Sequence, residues 1–130
     1  MAENQADFTL TFRNLCAAAE RPESEAAVRD LFVDPAAFDG WAARWRERLA
    51  LGARDPAATA AAMRAVNPAF IPRNHHVEAM IEAAVERNDF APFEALLTVL
   101  SRPYADQPDD AGYAEAPAGG GVGYRTFCGT

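Results

Sequence analysis

The chain has 130 residues, half of them apolar and 24% charged, and a formal net charge of −7 from 19 acidic residues against 12 arginines, with no lysine. A chain of this size suits one domain and can close a core without metal or disulfides. The acidic balance argues against nucleic acid or an anionic membrane as partner, and the missing lysine removes Schiff-base, P-loop and kinase-type lysine chemistry from these residues.

Cys16 and Cys128 are too few and too far apart for a disulfide framework, which favours a reducing compartment. The opening MAENQADFTL is polar and acidic, unlike a secretory leader. No apolar run approaches the ~20 residues of a membrane span. A cytoplasmic protein is expected. Alanine is abundant and Ile occurs only at 71 and 81, so the expected class is all-α. The reading is about six short helices in a compact bundle-like domain over 1–102, followed by an extended, partly flexible Pro/Gly-rich tail over 103–130.

In chain order, Phe8, Phe12, Leu15 and Ala19 fall on one helical face, with Asp7 placed to cap a helix from Asp7 to Glu20. Arg21-Pro22 ends it. A short helix from Ser24 to Val33 follows, with Ser24 as N-cap and Ala27, Val28, Leu31 and Phe32 as its stripe. Asp34-Pro35 is a cap followed by proline at the first helical position. Phe38, Trp41, Trp45 and Leu49 then recur at spacings of three and four, and this helix runs to about Gly52. The tryptophans suit either a ligand-stacking platform or a core stripe, and the core reading is favoured.

Asp55-Pro56 repeats the start signal for a helix carrying Met63 and Val66. Asn67-Pro68 stops it, because the residue before proline is pushed out of the α region. After an extended crossing, Pro72 restarts a helix with Val77, Met80, Ile81, Ala84 and Val85 on one face and Glu78, Glu82, Glu86 and Arg87 on the other. Asn88 suits a left-handed C-terminal position. Asp89 caps a last helix whose inward residues are Phe93, Leu96, Leu97 and Leu100, and Pro103 ends it. In the tail, Tyr104, Tyr113, Tyr124 and Phe127 are the residues able to dock on the helices.

Candidate chemistry is sparse. His75 and His76 are adjacent, so they lack the i,i+4 geometry of a helical metal pair. Gly119–Gly123 lacks the preceding strand and following helix of a phosphate loop. Asp106, Asp109 and Asp110 lack the glycine and glutamate positions of a calcium loop. No residue is assigned as catalytic, cofactor-binding or metal-ligating. Arg73 and Asn74 are placed in the first turn after Pro72, where the helix dipole disfavours a cation. Arg73 therefore needs a partner, and Asn67, Pro68, Arg73 and Asn74 are read as an architectural lock. Cys16 reads as a small core residue, and Cys128 as a possible redox handle.

Several pieces in order resemble the selenoprotein O (SelO/YdiU) family: the opening DFTLTFRNL, the Phe38/Trp41/Trp45-Arg46/Leu49 helix, NPAFIPRN at 67–74, IEAAVERNDFAPFEALLTVLSRPYADQP at 81–108, and a cysteine at the extreme C-terminus. The similarity covers most of this chain but only the last quarter or so of a typical member. The resemblance implies a kinase-like protein adenylyltransferase that moves AMP from ATP to protein hydroxyl groups with Mg or Mn. Its nucleotide and metal residues are expected upstream, so none is carried onto this chain. It also implies a redox role for the terminal cysteine, matched by Cys128, although Phe127–Thr130 and the glycine run before it differ from the family's usual ending.

The leading expectation is therefore a non-catalytic C-terminal helical domain of such an enzyme, with the kinase-like domain in cis as its partner. The alternatives are an autonomous helical interaction module and, least favoured, a small enzyme using Arg73 and the histidine pair. Self-association through an uncovered apolar face, either Phe8/Phe12 or Trp41/Trp45, is a further expectation.

Overall fold

The structure, a computed structural model, describes residues 1–52 and 54–117. Among them are helices α1 (Phe8–Glu20), α2 (Glu25–Arg29), α3 (Pro35–Leu51), α4 (Pro56–Arg64), α5 (Asn74–Arg87) and α6 (Ala91–Leu100), with 3-10 turns at Ala2–Asn4, Pro22–Ser24 and Pro108–Ala114. No strand occurs among the described residues, and the all-α expectation is met. The chain divides into two units: Met1–Ala69 with Tyr104–Asp106, and Phe70–Pro103 with the segment from Gln107 on.

In the first unit three aspartates start three helices. A helix opens with backbone N–H groups that have no partner within it, and a short side chain at the cap supplies one. Asp7 accepts from the Leu10 N–H at 2.8 Å, Asp34 from Ala36 at 3.0 Å and Asp55 from Ala58 at 2.9 Å. Pro35 and Pro56 take the first helical position, where the proline nitrogen has no hydrogen to leave unpaired. The core is Leu15, Ala18, Val28, Phe38 and Ala42, with Phe12, Phe32, Trp45 and Met63 packed against it.

Two readings of this unit are corrected. Ser24 holds the N-cap position of α2 as read, but its side chain makes no cap hydrogen bond: the turn begun by Pro22 already gives it helical angles (φ −73°, ψ −7°) in place of the extended backbone from which a cap reaches back. The helix it would start shrinks to Glu25–Arg29, and Leu31 and Phe32 lie in the turn that follows. On α1 the buried residues are Thr11, Leu15, Cys16 and Ala18, and Phe8 points outward at 68% exposure. The tryptophans also divide. Their rings stack at 5.6 Å with 15° between planes, Trp45 against the core and Trp41 on the exposed side.

In the second unit, Phe70, Ala83, Leu96 and Val99 are buried. Helix α5 begins at Asn74, two residues after Pro72. Arg73 is its N-cap residue in an extended conformation (φ −68°, ψ 131°), and its carbonyl accepts from His76 and Val77, both at 3.0 Å. Arg73 thus precedes the first turn. Asn88 ends α5 in the left-handed region (φ 51°, ψ 33°), and its N–H and that of Asp89 return to the Ala83 carbonyl. The Asp89 carboxylate accepts from Ala91 at 3.0 Å and so serves the start of α6.

Both helices of this unit are turned relative to the faces read from sequence. On α5 the fully buried residue is Ala83, while Ile81 and Val85 face out; on α6, Leu96 and Val99 are buried, while Phe93 and Leu97 face out. With the small Ala83 at the buried position of α5, the larger Ile81 and Val85 are carried round to the outside.

Candidate functional site

The residues read as a lock fall into separate units, Asn67 and Pro68 in the first and Arg73 and Asn74 in the second. Asn67 closes α4. Its side-chain amide donates to the Met63 carbonyl at 2.8 Å, and its backbone N–H donates to the same oxygen at 3.0 Å. Its own carbonyl accepts from Arg13 Nη1 at 3.0 Å.

Arg13, which sequence reasoning passed over, is the hub of this corner. Nη1 also reaches the Arg64 carbonyl at 3.4 Å, while Nη2 donates to the Tyr104 carbonyl at 3.2 Å and pairs with Asp106. One guanidinium fork therefore holds the end of α4 and residues 104–106 against α1. The planar five-donor group suits such a junction, where a lysine offers only a point charge. A second pair, Arg46 with the buried Glu25, joins α3 to α2.

In the second unit Arg73 is 6% exposed and donates Nη2 to the Ala114 carbonyl at 2.8 Å. Within the segment read as an extended tail, Pro108–Ala114 forms a 3-10 turn, and Arg73 holds its last carbonyl. His76 Nε2 meets the Gly112 carbonyl at 3.2 Å, and its ring lies 5.0 Å from that of Tyr113. The two histidine rings sit 4.0 Å apart. Desolvation first, then His76 and Arg73, hold the His75 pKa below its ordinary value. Buried Gln107, also missed, donates to the Val99 and Arg102 carbonyls at 3.1 Å each and closes the end of α6. Asn74 is exposed at the first position of α5.

Cys128, the candidate redox residue, lies outside the described residues, as do Tyr124, Phe127 and Gly119–Gly123. Cys16 is free and buried, with Sγ donating to the Phe12 carbonyl at 3.2 Å. Burial pushes its thiol pKa up, against smaller opposing effects of Arg13, Arg64 and Asn67, which disfavours the reactive thiolate.

Among the described residues, each unit carries an apolar groove. One of about 280 Å³ in the first unit is lined by Phe12, Phe32, Phe38 and Trp41 together with Met1, Asn4, Thr11, Leu15 and Ala37. The other, of about 270 Å³ in the second unit, is lined by Met80, Ile81, Ala84, Val85, Phe90 and Phe93. No Arg, His, Asp or Glu lines either. Among the described residues no group of three His, Cys, Asp or Glu is placed to hold a metal ion. These linings do not fit a nucleotide–metal complex, which needs charged partners for its phosphates and carboxylates for its metal. Among the described residues, no helix is long and apolar enough to cross a membrane.

Comparison with known proteins places this architecture. Over its full length the chain is 68% identical to a protein nucleotidyltransferase YdiU of Methylorubrum populi and 60% identical to one of Rhodopseudomonas palustris, spanning 27% and 26% of those proteins. A relative of the same description from Bradyrhizobium is 58% identical. The chain thus covers about a quarter of the length of the curated relatives it matches. The family model described as protein adenylyltransferase SelO matches residues 1–101, and the chain belongs to that family.

Proposed function

We propose that this chain is the C-terminal helical domain of a SelO-type protein adenylyltransferase. In the whole protein a kinase-like domain transfers AMP from ATP to protein hydroxyl groups with Mg or Mn, and this domain supports that lobe from the side without touching nucleotide. The observation that carries the reading is the full-length match at 68% identity to a nucleotidyltransferase of which the chain spans 27%. Both units line their grooves with apolar residues, which suits a supporting part. A cytoplasmic setting belongs to the same reading and agrees with the free thiol of Cys16. Cys128 is the residue proposed to carry redox control, and buried Cys16 is a poor partner for it. A cysteine in the kinase-like domain is the better candidate.

The test is a pair of assays with labelled ATP, Mg or Mn, and a protein substrate. This chain alone is expected to transfer no AMP. A chimera in which it replaces the matching segment of the Methylorubrum populi relative is expected to transfer AMP at the parent's level. Transfer by the isolated chain, or an inactive chimera, overturns the reading.

A further inference from the structure

The large apolar side chains that α5 and α6 turn outward lie together. Ile81 and Val85 make an i,i+4 ridge on α5, Phe93 and Leu97 a second on α6, and Phe90 stands at the corner between them. Ile81, Val85, Phe90 and Phe93, with Met80 and Ala84, form the wholly apolar lining of the 270 Å³ groove, and Leu97 lies one helical turn beyond Phe93. Val85 is 78% exposed and Leu97 58%. A helix that faces water on its outer side normally carries polar residues there. Here that side carries β-branched, leucine and aromatic side chains in one contiguous patch, the mark of a surface that is covered in the working protein.

Length and charge say what covers it. The chain matches its relatives from end to end yet spans only 27% of the first of them, so on the domain reading nearly three quarters of a family-length polypeptide lies outside it. A second copy would bring together two chains of net charge −7 each. An apolar ridge on the remaining polypeptide fills the groove without that repulsion.

We propose that the α5–α6 groove is the docking surface for the remaining polypeptide of the family-length protein, which seats there an apolar ridge. The proposal rests on the reading of this chain as one domain of an adenylyltransferase. It is tested with Val85→Arg/Leu97→Arg, made both in the isolated chain and in the Methylorubrum populi chimera, by thermal melting of each.

In the isolated chain both positions face water, and Tm is expected to stay within about 3 °C of the parent. In the chimera the two cations are buried against an apolar ridge, and Tm is expected to fall by roughly 5 °C or more. Equal shifts in the two settings overturn the proposal while leaving the domain reading intact. So does a chimera moved by Phe8→Arg and not by the double variant, which would transfer the docking surface to the first unit. A dimer of the isolated chain that the double variant dissolves, with the chimera's Tm unmoved, overturns it in favour of a second copy. If the unsubstituted chimera neither melts cooperatively nor transfers AMP, the domain reading itself fails and the proposal falls with it.

Discussion

The two units of this chain use the same helical vocabulary and finish differently. In the first, the large apolar residues close on one another. Phe38 and Val28 are buried, and Phe12, Phe32, Trp45 and Met63 pack against them, while Phe8, Val33, Leu51 and Val66 stay scattered outside. In the second, the buried contacts are Ala83, Leu96 and Val99 beside Phe70, while Ile81, Val85, Phe90, Phe93 and Leu97 stay outside. The first unit buries a cluster of large side chains. The second buries few and carries its apolar surplus on the outside of α5 and α6. The second unit accordingly depends on polar side chains placed at helix termini: Arg73 on the Ala114 carbonyl, Gln107 on Val99 and Arg102, Asp89 on Ala91.

This contrast can be broken by substitution. The largest effect is expected in the first unit. Phe38→Ala removes the biggest buried side chain of a closed core and is expected to cost about 3–5 kcal/mol, read from urea unfolding of the isolated chain. A cost below about 1 kcal/mol, the level of ordinary surface change, would mean that the core is not closed. In the second unit Arg73→Ala leaves the Ala114 carbonyl without its charged donor and is expected to cost about 2 kcal/mol, seen as a clear fall in Tm. An unmoved Tm would remove Arg73 from the account of how this unit is held.

The smallest effect is a pH dependence. Neutral His75 is favoured in the folded chain by desolvation, His76 and Arg73, so its folded pKa lies below the ordinary 6.5. In the window below 6.5 the unfolded chain therefore binds more protons than the folded one, and stability falls as the pH drops through that window. His75→Gln is expected to flatten this part of the profile between about pH 7.5 and pH 5. The same slope in His75→Gln and in the parent would assign the dependence to other groups.

Local signals were legible where the chemistry is local. The Asp-Pro pairs at 34–35 and 55–56, Asp7 before α1 and Asn88 after α5 act within a few residues, and each is found at the terminus it marks. Ser24 shows the limit, since a proline two residues earlier had already set its backbone. The rotation of α5 and α6 was not legible, because a helical wheel weighs every apolar residue alike and cannot know that packing will bury Ala83 and leave Ile81 and Val85 outside. Arg13 was passed over for a different reason. It lies within an ordinary amphipathic pattern, and its acceptors, Asn67 and Tyr104, are 54 and 91 residues away. The need of Arg73 for a partner was legible, but which carbonyl meets it, 41 residues on, was not.

The most direct test of the difference between the two units is the melting of Val85→Arg/Leu97→Arg in two settings. A Tm that holds in the isolated chain and falls in the chimera is the result expected if the second unit's outer face is completed by the rest of the protein. The same small shift in both would mean that this face belongs to water and that the second unit, like the first, is complete as it stands.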